Sequence, residues 1–250
     1  MMASLSRRTL ASAFARSFMI QGSWNYQTML GSGFAFAMLP ALRRLFAEDP
    51  EAMRDSVRRH LEHFNAHPYL SNVALGAALR LEAEGEDGDT VRRFKTAVRG
   101  PLGGLGDALV WAAWLPAVSL AGLSLLWLGA PGWVAVLAFL VIYNAGHIGL
   151  RAWGFHAGLQ EGSAVGQRLS RASLGNLTAR VRAVSAALLG LLVGAVLAGR
   201  GGLGAAGPSW GVVAILAFLG GLVIGPRLWR PTAVVLVAAV AFLATWGLMT

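Results

Sequence analysis

The chain contains no cysteine, which excludes disulfides, thiolate metal sites and a cysteine nucleophile. Charge is also scarce, because 13% of the 250 residues are charged, against about 25% in average soluble domains. Residues 108–150 lack Asp, Glu, Lys and Arg entirely, and no acidic residue follows Glu161. With 56% hydrophobic residues and a mean hydropathy of +0.58, the composition predicts an all-α, polytopic integral membrane protein.

Uncharged stretches of roughly 20 residues are long enough to cross a bilayer as helices. The Gly129-Ala-Pro-Gly132 sequence predicts a tight turn between the first two of these stretches. The sequence predicts about five C-terminal spans, at residues 108–128, 131–150, 183–199, 210–226 and 232–250.

Arginines lie between the apolar stretches, so the net charge of +9 indicates a positive-inside bias instead of nucleic-acid binding. We place one cytoplasmic connection at Arg151, Arg168, Arg171, Arg180 and Arg182. The N-terminus shows no signal-peptide pattern and is expected to be retained and cytoplasmic. Five spans then place the C-terminus outside.

The first 99 residues mix apolar and charged segments and form a separate predicted region (1–99) before the transmembrane region (100–250). Phe18 to Pro40 is rich in amides and hydroxyls, which need protein or water partners. Pro50 and Glu51 predict the start of a helix that continues to about Phe64. Pro68 to Leu79 is too short to span and predicts a re-entrant arm or a buried core helix. Glu82 to Asp89 is expected to be a solvent-facing acidic loop.

Asp107 opens the uncharged run and follows a glycine-rich stretch, Gly100-Pro-Leu-Gly-Gly-Leu-Gly106. We expect this backbone not to form regular helix. Irregular backbone and a carboxylate at membrane depth are tolerated where they line a cavity, which indicates a transport site. Alternatively, Asp107 lies at the membrane surface and N-caps the following helix.

Four motifs in order resemble the IID component of mannose-family sugar permeases of the bacterial phosphoenolpyruvate-dependent phosphotransferase system. They are Gln21-Gly-Ser-Trp-Asn-Tyr26, Gly33-Phe-Ala-Phe-Ala-Met-Leu-Pro40, Arg59-His-Leu-Glu-His-Phe-Asn65 and Gly100-Pro-Leu-Gly-Gly-Leu-Gly-Asp107. The resemblance covers about residues 14–200. It implies an inner-membrane subunit that pairs with a IIC membrane subunit and works with soluble IIA and IIB phosphocarriers. It also implies a homotrimer of IIC–IID pairs with an elevator-like moving core.

The sequence departs from the family pattern at three positions. Ala108 follows Asp107 where proline is expected, Leu115 stands where arginine commonly precedes proline, and His63 replaces an aromatic residue. The missing arginine removes the expected charge partner of Asp107.

A hexose is recognised by polar groups that bind its hydroxyls and by an aromatic face against its C–H side. Together with the resemblance, this predicts a substrate site at Gln21, Trp24, Asn25, Gly106 and Asp107. Trp111 is a further aromatic candidate. A rival interpretation makes Trp24 and Tyr26 interfacial anchors at headgroup depth.

No cofactor, metal or catalytic residue is expected on this chain. His60, His63 and His67 would share one face if their helix continued, but they lack a suitable acidic fourth ligand. Gly103-Gly-Leu-Gly106 lacks the strand and the Lys-Ser/Thr of a phosphate loop. The resemblance places the phosphohistidines on the soluble partners.

Three functions are compatible with these observations. The first is a sugar-translocating IID subunit in a bacterial inner membrane. The second is a regulatory or scaffold membrane subunit that has diverged from that family and no longer transports. The third, an unrelated small-solute channel or exporter, requires the motif match to be accidental.

Overall fold

The computed structural model describes residues 5–199. Apart from two isolated bridges that join Met29 to Asn25 and to Phe64, this part of the chain is helical or irregular. Its α-helices are α1 (Arg7–Ser17), α2 (Gly31–Leu45), α3 (Pro50–Leu61), α4 (Ser71–Glu84), α5 (Gly88–Gly106), α6 (Leu115–Trp127), α7 (Gly132–Glu161), α8 (Val165–Arg171) and α9 (Leu174–Gly199). A π-helical segment (Asp107–Trp114) joins α5 to α6, and a 3₁₀ turn (Gly162–Ala164) precedes α8.

The predicted helix at Pro50 is confirmed, and its start has a local cause. The Asp49 side chain accepts hydrogen bonds from the backbone N–H groups of Glu51 and Ala52, and Pro50 occupies the first turn. The helix ends at Leu61, before the predicted Phe64, because the backbone of Phe64 pairs instead with Thr28 and Leu30.

Helix α4 is the centre of the core, since all of its residues except Arg80, Ala83 and Glu84 are buried. It packs closely on α7: a Cβ added to Gly158 would lie 2.2 Å from the Val73 carbonyl oxygen. Such close approach requires glycine. Of the two predictions for the Pro68–Leu79 stretch, the structure supports the buried core helix. The predicted acidic surface loop is wrong at its first residue, because Glu82 is buried inside α4.

The glycine-rich stretch before Asp107 is helical, so the prediction of irregular backbone there is wrong. Residues Gly88–Trp127 form one continuous helix of 40 residues that includes Pro101 and the π-helical segment. Its glycines allow close packing: a Cβ on Gly106 would lie 2.1 Å from the Cβ of His67. The composition boundary at 99/100 falls inside this helix.

Within residues 5–199, two helical stretches are long and apolar enough to cross a membrane, Gly88–Trp127 and Gly132–Arg171. The turn between them is confirmed, with Gly129 at φ 86°. The prediction that Arg151 lies in a connection between two spans is wrong, because α7 continues to Glu161 and buries this arginine. The predicted span 183–199 lies within α9, whereas 210–226 and 232–250 lie outside the described residues.

Candidate functional site

The motifs at residues 21–26 and 100–107 both flank one short segment, residues 63–67. The Phe64 N–H donates to the Thr28 carbonyl at 3.1 Å, and the Phe64 carbonyl accepts from Leu30 N–H at 2.9 Å. On the other flank, Gly103 faces the backbone of Ala66, and Gly106 faces the His67 side chain. The segment between α3 and α4 therefore connects the residues that follow the first motif to the glycine-rich stretch before Asp107.

The first motif forms a compact turn that Asn25 holds together. Its Oδ1 accepts from the N–H groups of Gln27 and Thr28 at 3.0 and 2.9 Å, and its Nδ2 donates to the Thr28 hydroxyl at 2.9 Å. Asn25 thus has a structural role, because both its amide oxygen and its amide nitrogen form hydrogen bonds within the turn. Met29 completes the turn at φ 53°.

The aromatic side chains of this turn lie on its outside. Trp24 and Tyr26 are in edge-on contact, with ring centroids 4.8 Å apart. They are 45% and 83% exposed, and Gln21 is exposed as well. These three side chains, unlike that of Asn25, are free to meet a ligand, a lipid headgroup or a partner subunit.

Asp107 is the first residue of the π-helical segment, and its side chain is exposed. Its backbone N–H donates to the carbonyls of Gly103 and Gly104, so it lies inside a continuous helix. The alternative in which Asp107 N-caps a following helix is therefore wrong. Trp111 follows at the next turn, 45% exposed. A carboxylate and an indole face thus neighbour each other on the surface of a candidate span.

Behind Trp111 lies a group of polar aromatic side chains that sequence reasoning missed. The His67 ring is 5.2 Å from the Trp111 ring, and the Tyr69 ring is 6.2 Å from it. The Tyr69 hydroxyl pairs with the Tyr143 hydroxyl at 2.8 Å, and its ring stacks on His147 at 3.9 Å. His67 Nε2 is buried and has no hydrogen-bond partner among the described residues.

Arg151 lies next to this group and is 3% exposed. Its guanidinium donates to the Ser17 carbonyl at 2.8 Å, to Asn72 Oδ1 at 3.3 Å and to His147 Nε2 at 2.7 Å. A buried ionisable residue in a helix of a candidate span is a functional signal. The sequence does not show this signal, because Arg151 directly follows the uncharged run and its partners are distant in the chain.

A second buried cluster lies between α3, α4 and α5. Arg59 donates two hydrogen bonds to the Glu82 carboxylate, at 2.7 and 3.0 Å, and His60 Nε2 lies 2.8 Å from the same group. Lys95 donates to the Arg59 carbonyl. The three histidines do not share a helical face, because α3 ends at Leu61 and exposed His63 pairs with Arg99.

Burial and hydrogen bonding in this second cluster determine the charge states of His60 and Glu82 at neutral pH. Burial lowers the pKa of His60 to about 4, against the opposing hydrogen bond to Glu82. Burial alone would raise the pKa of Glu82, but hydrogen bonds from Arg59 and His60 outweigh it and lower the pKa to about 2. Glu82 is ionised and His60 is neutral, so His60 donates its Nε2 proton to the carboxylate.

Comparison with known proteins agrees with the motifs. The family profile described as PTS system mannose/fructose/sorbose family IID component matches residues 4–199. The mannose-specific EIID component of Escherichia coli K12 is 33% identical over 195 residues, which cover 76% of this chain and 66% of that protein. The match therefore spans just under two thirds of this relative's length. The fructose permease IID component of Bacillus subtilis strain 168 is 31% identical over 196 residues, covering 76% of this chain and 68% of that protein.

The fold is also similar to a solved structure. One chain in the cryo-EM structure of the mannose transporter ManYZ with microcin E492 superposes with a TM-score of 0.61 at 31% identity, covering 76% of this chain and 71% of that one. Together with the two apolar helical stretches, this similarity supports a helical membrane protein. The chain belongs to the IID components of the PTS mannose/fructose/sorbose family.

Proposed function

We propose that this IID chain, with a IIC membrane subunit, binds a hexose or related sugar and carries it inward. Transport is coupled to phosphorylation of the sugar by soluble IIA and IIB proteins, so no catalytic residue is needed on this chain. The named relatives act on mannose and fructose, which supports the substrate class. The family resemblance supports assembly as a trimer of IIC–IID pairs in the bacterial inner membrane. The distribution of arginines supports a cytoplasmic N-terminus.

The observation that carries this proposal is the neighbouring pair of exposed side chains, Asp107 and Trp111, on the apolar helix Gly88–Trp127. A carboxylate exposed on a candidate span is costly unless it meets water, a ligand or a partner. Its two oxygens accept hydrogen bonds from sugar hydroxyls, and the indole offers an apolar face to the C–H side of the ring. Trp24 and Gln21, joined to this region through residues 63–67, are the further proposed ligands. In this proposal Asn25 and Gly106 act by shaping the backbone.

The test is Asp107→Asn in membranes that contain this chain, its IIC partner and the cognate soluble proteins. Phosphoenolpyruvate-dependent phosphorylation is measured for labelled mannose, glucosamine, fructose and sorbose. The amide keeps the size of the side chain but loses the charge. A charge-assisted hydrogen bond contributes about 1.5–3 kcal/mol, so sugar phosphorylation should fall roughly ten- to a hundredfold, since about 1.4 kcal/mol is a factor of ten.

Asp55→Asn is the matched control, because Asp55 is an exposed acid paired only loosely with Arg58 at 3.6 Å. The control should leave phosphorylation unchanged, and both variants should capture the IIC partner at wild-type level. Sugar phosphorylation at the wild-type level by Asp107→Asn would contradict the site assignment.

A regulatory or scaffold subunit is the second candidate, favoured by Leu115 at the position where the family commonly has arginine. Among residues 5–199, Asp107 forms no ion pair and its carboxylate forms no hydrogen bond. No phosphorylation of any sugar in the panel, with the IIC–IID complex intact, would support this candidate and contradict transport.

A further inference from the structure

Arg151 is a buried cation in the apolar helix α7, and within residues 5–199 no carboxylate neutralises it. Its hydrogen-bond acceptors are a carbonyl, an amide and an imidazole. Because His147 accepts through Nε2, this ring is the neutral tautomer with its proton on Nδ1. Burying a charge without a counter-charge is expensive, so we ask what the buried guanidinium contributes to the fold.

The first contact of Arg151 is with the end of α1. Ser17 is the last residue of α1, and its carbonyl therefore lies at the negative end of the helix dipole, where a cation is favourable. Asn72 completes a closed network, because its Oδ1 accepts from Arg151 and its Nδ2 donates to the Ser17 hydroxyl at 3.0 Å. The residues that follow directly, from Phe18, lead into the turn that carries Trp24.

The second contact is with two aromatic faces. The guanidinium carbon lies 4.9 Å from the centre of the Phe18 ring and 5.1 Å from that of the Tyr69 ring. Both distances are within the range of cation–π attraction. Tyr69 in turn contacts the Trp111 ring, which neighbours Asp107 on the π-helical segment.

We infer that Arg151 is a positioning residue that sets the two halves of the sugar site relative to each other. Through Ser17 and Phe18 it holds the entry to the turn at residues 21–26, and through Tyr69 it holds the aromatic group behind Trp111 and Asp107. The inference rests on the proposed function for the identity of the site. The guanidinium suits this position because its donors are fixed in a plane and its flat face stacks on rings. An ammonium group has neither the fixed planar donors nor the flat face.

The test is Arg151→Lys in the full chain with its IIC partner. This substitution keeps the positive charge but removes the planar set of guanidinium N–H donors. Two quantities are measured on the same purified complex. The first is the KM and kcat for phosphorylation of the sugar identified by the panel above. The second is backbone amide hydrogen exchange in the segments 18–30, 64–70 and 50–61, which needs no transport activity.

We expect Arg151→Lys to raise the KM at least tenfold with a smaller change in kcat, and to speed exchange in 18–30 and 64–70 together while 50–61 stays at the wild-type rate. Arg80→Lys is the matched control, since Arg80 also donates to a carbonyl of α7, that of Gln160, and pairs with Glu84 at 2.7 Å. It should change neither quantity.

A second variant separates the two contacts and serves if Arg151→Lys does not assemble. Tyr69→Leu removes one aromatic face and leaves the bond to Ser17, so exchange should speed up in 64–70 but not in 18–30. Wild-type exchange in both segments of Arg151→Lys, or uniform acceleration that includes 50–61, would overturn the inference. A wild-type complex that phosphorylates none of the sugars would contradict the proposed function. If Arg151→Lys still accelerates exchange in the two segments of that complex, the positioning role remains supported.

Discussion

Two buried arginines of this protein are stabilised in different ways. Arg59, 9% exposed, donates twice to the Glu82 carboxylate, and His60 donates to the same group. Arg151, 3% exposed, meets a carbonyl, an amide, a neutral imidazole and two aromatic rings. The first arrangement pairs a full negative charge with a full positive one, whereas the second distributes a positive charge over dipoles and π faces.

The difference indicates two kinds of task. An ion pair with two parallel hydrogen bonds depends on both partners, because removing either one leaves a buried charge unpaired. Each contact of Arg151 is weaker than the ion pair between Arg59 and Glu82. Because these contacts are spread over α1, α4 and α7, they fix the relative positions of the three helices more than they balance charge. We therefore expect the Arg59 cluster to control stability and the Arg151 cluster to control the site.

The largest expected effect comes from Glu82→Gln, which leaves Arg59 buried without a counter-charge. Breaking a buried pair in this way costs about 3–5 kcal/mol. The purified complex should therefore unfold at a markedly lower temperature, measured by the midpoint of its thermal transition in detergent. Glu84→Gln removes a carboxylate of the same helix that pairs with Arg80 near the surface and should cost less than about 1 kcal/mol. Equal thermal midpoints for Glu82→Gln and Glu84→Gln would contradict the view that the Arg59 cluster controls stability.

The second-largest expected effect is the loss of stability as the pH falls. Between pH 6.5 and about 4 the unfolded chain protonates His60 while the folded chain does not, because burial lowers the pKa of this imidazole. Stability therefore falls as the pH falls through this window, by about 3 kcal/mol if each pKa unit is worth about 1.4 kcal/mol. Glu82, whose pKa is also lowered, extends the loss from pH 4.5 down to about 2.

His60→Gln isolates this contribution, since the amide can still donate to Glu82 but does not titrate. The thermal midpoint of the variant should decline less steeply between pH 7 and 4.5 than that of the wild type. A residual slope is expected because burial also lowers the pKa of His67 to about 4. Parallel curves for variant and wild type would show that His60 is not the titrating group.

Features with a local cause were predictable from the sequence. The helix start at Pro50 depends on Asp49 and on proline in the first turn, and the turn at Gly129 depends on positive φ. Family membership followed from four ordered motifs. Each single motif, like the helix start and the turn, is contained in a few neighbouring residues.

The two arginine clusters could not be predicted in the same way. Arg151 binds Ser17 across 134 positions of the chain, and Glu82 binds Arg59 across 23. From the sequence alone, Arg151 therefore predicts the end of a span, and Glu82 predicts exposed surface. Without knowledge of the partner, local composition does not distinguish a buried, paired charge from a solvated one.

The glycines before Asp107 show the same ambiguity and lead to the smallest predicted effect. Glycine is found both in irregular backbone and where helices pack closely. Here Gly106 allows α5 to pack closely against His67. The His67 ring in turn contacts the Trp111 and Tyr69 rings. Gly106→Ala places a methyl group 2.1 Å from the His67 Cβ, and such overpacking costs about 1–3 kcal/mol. Its thermal midpoint should fall, and its KM should rise, because the displaced ring lies in the aromatic group that Arg151 holds.

Gly104→Ala is the control for this prediction, because nothing lies within 4 Å of an added Cβ there. Alanine is favoured over glycine inside a helix by roughly 1 kcal/mol, so this variant should be as stable as the wild type or slightly more so. A higher KM of Gly106→Ala, with a KM at the wild-type value for Gly104→Ala, would separate the two clusters by function. If its KM stayed at the wild-type value while its stability fell, the contact between α5 and His67 would belong to the stability core together with Arg59.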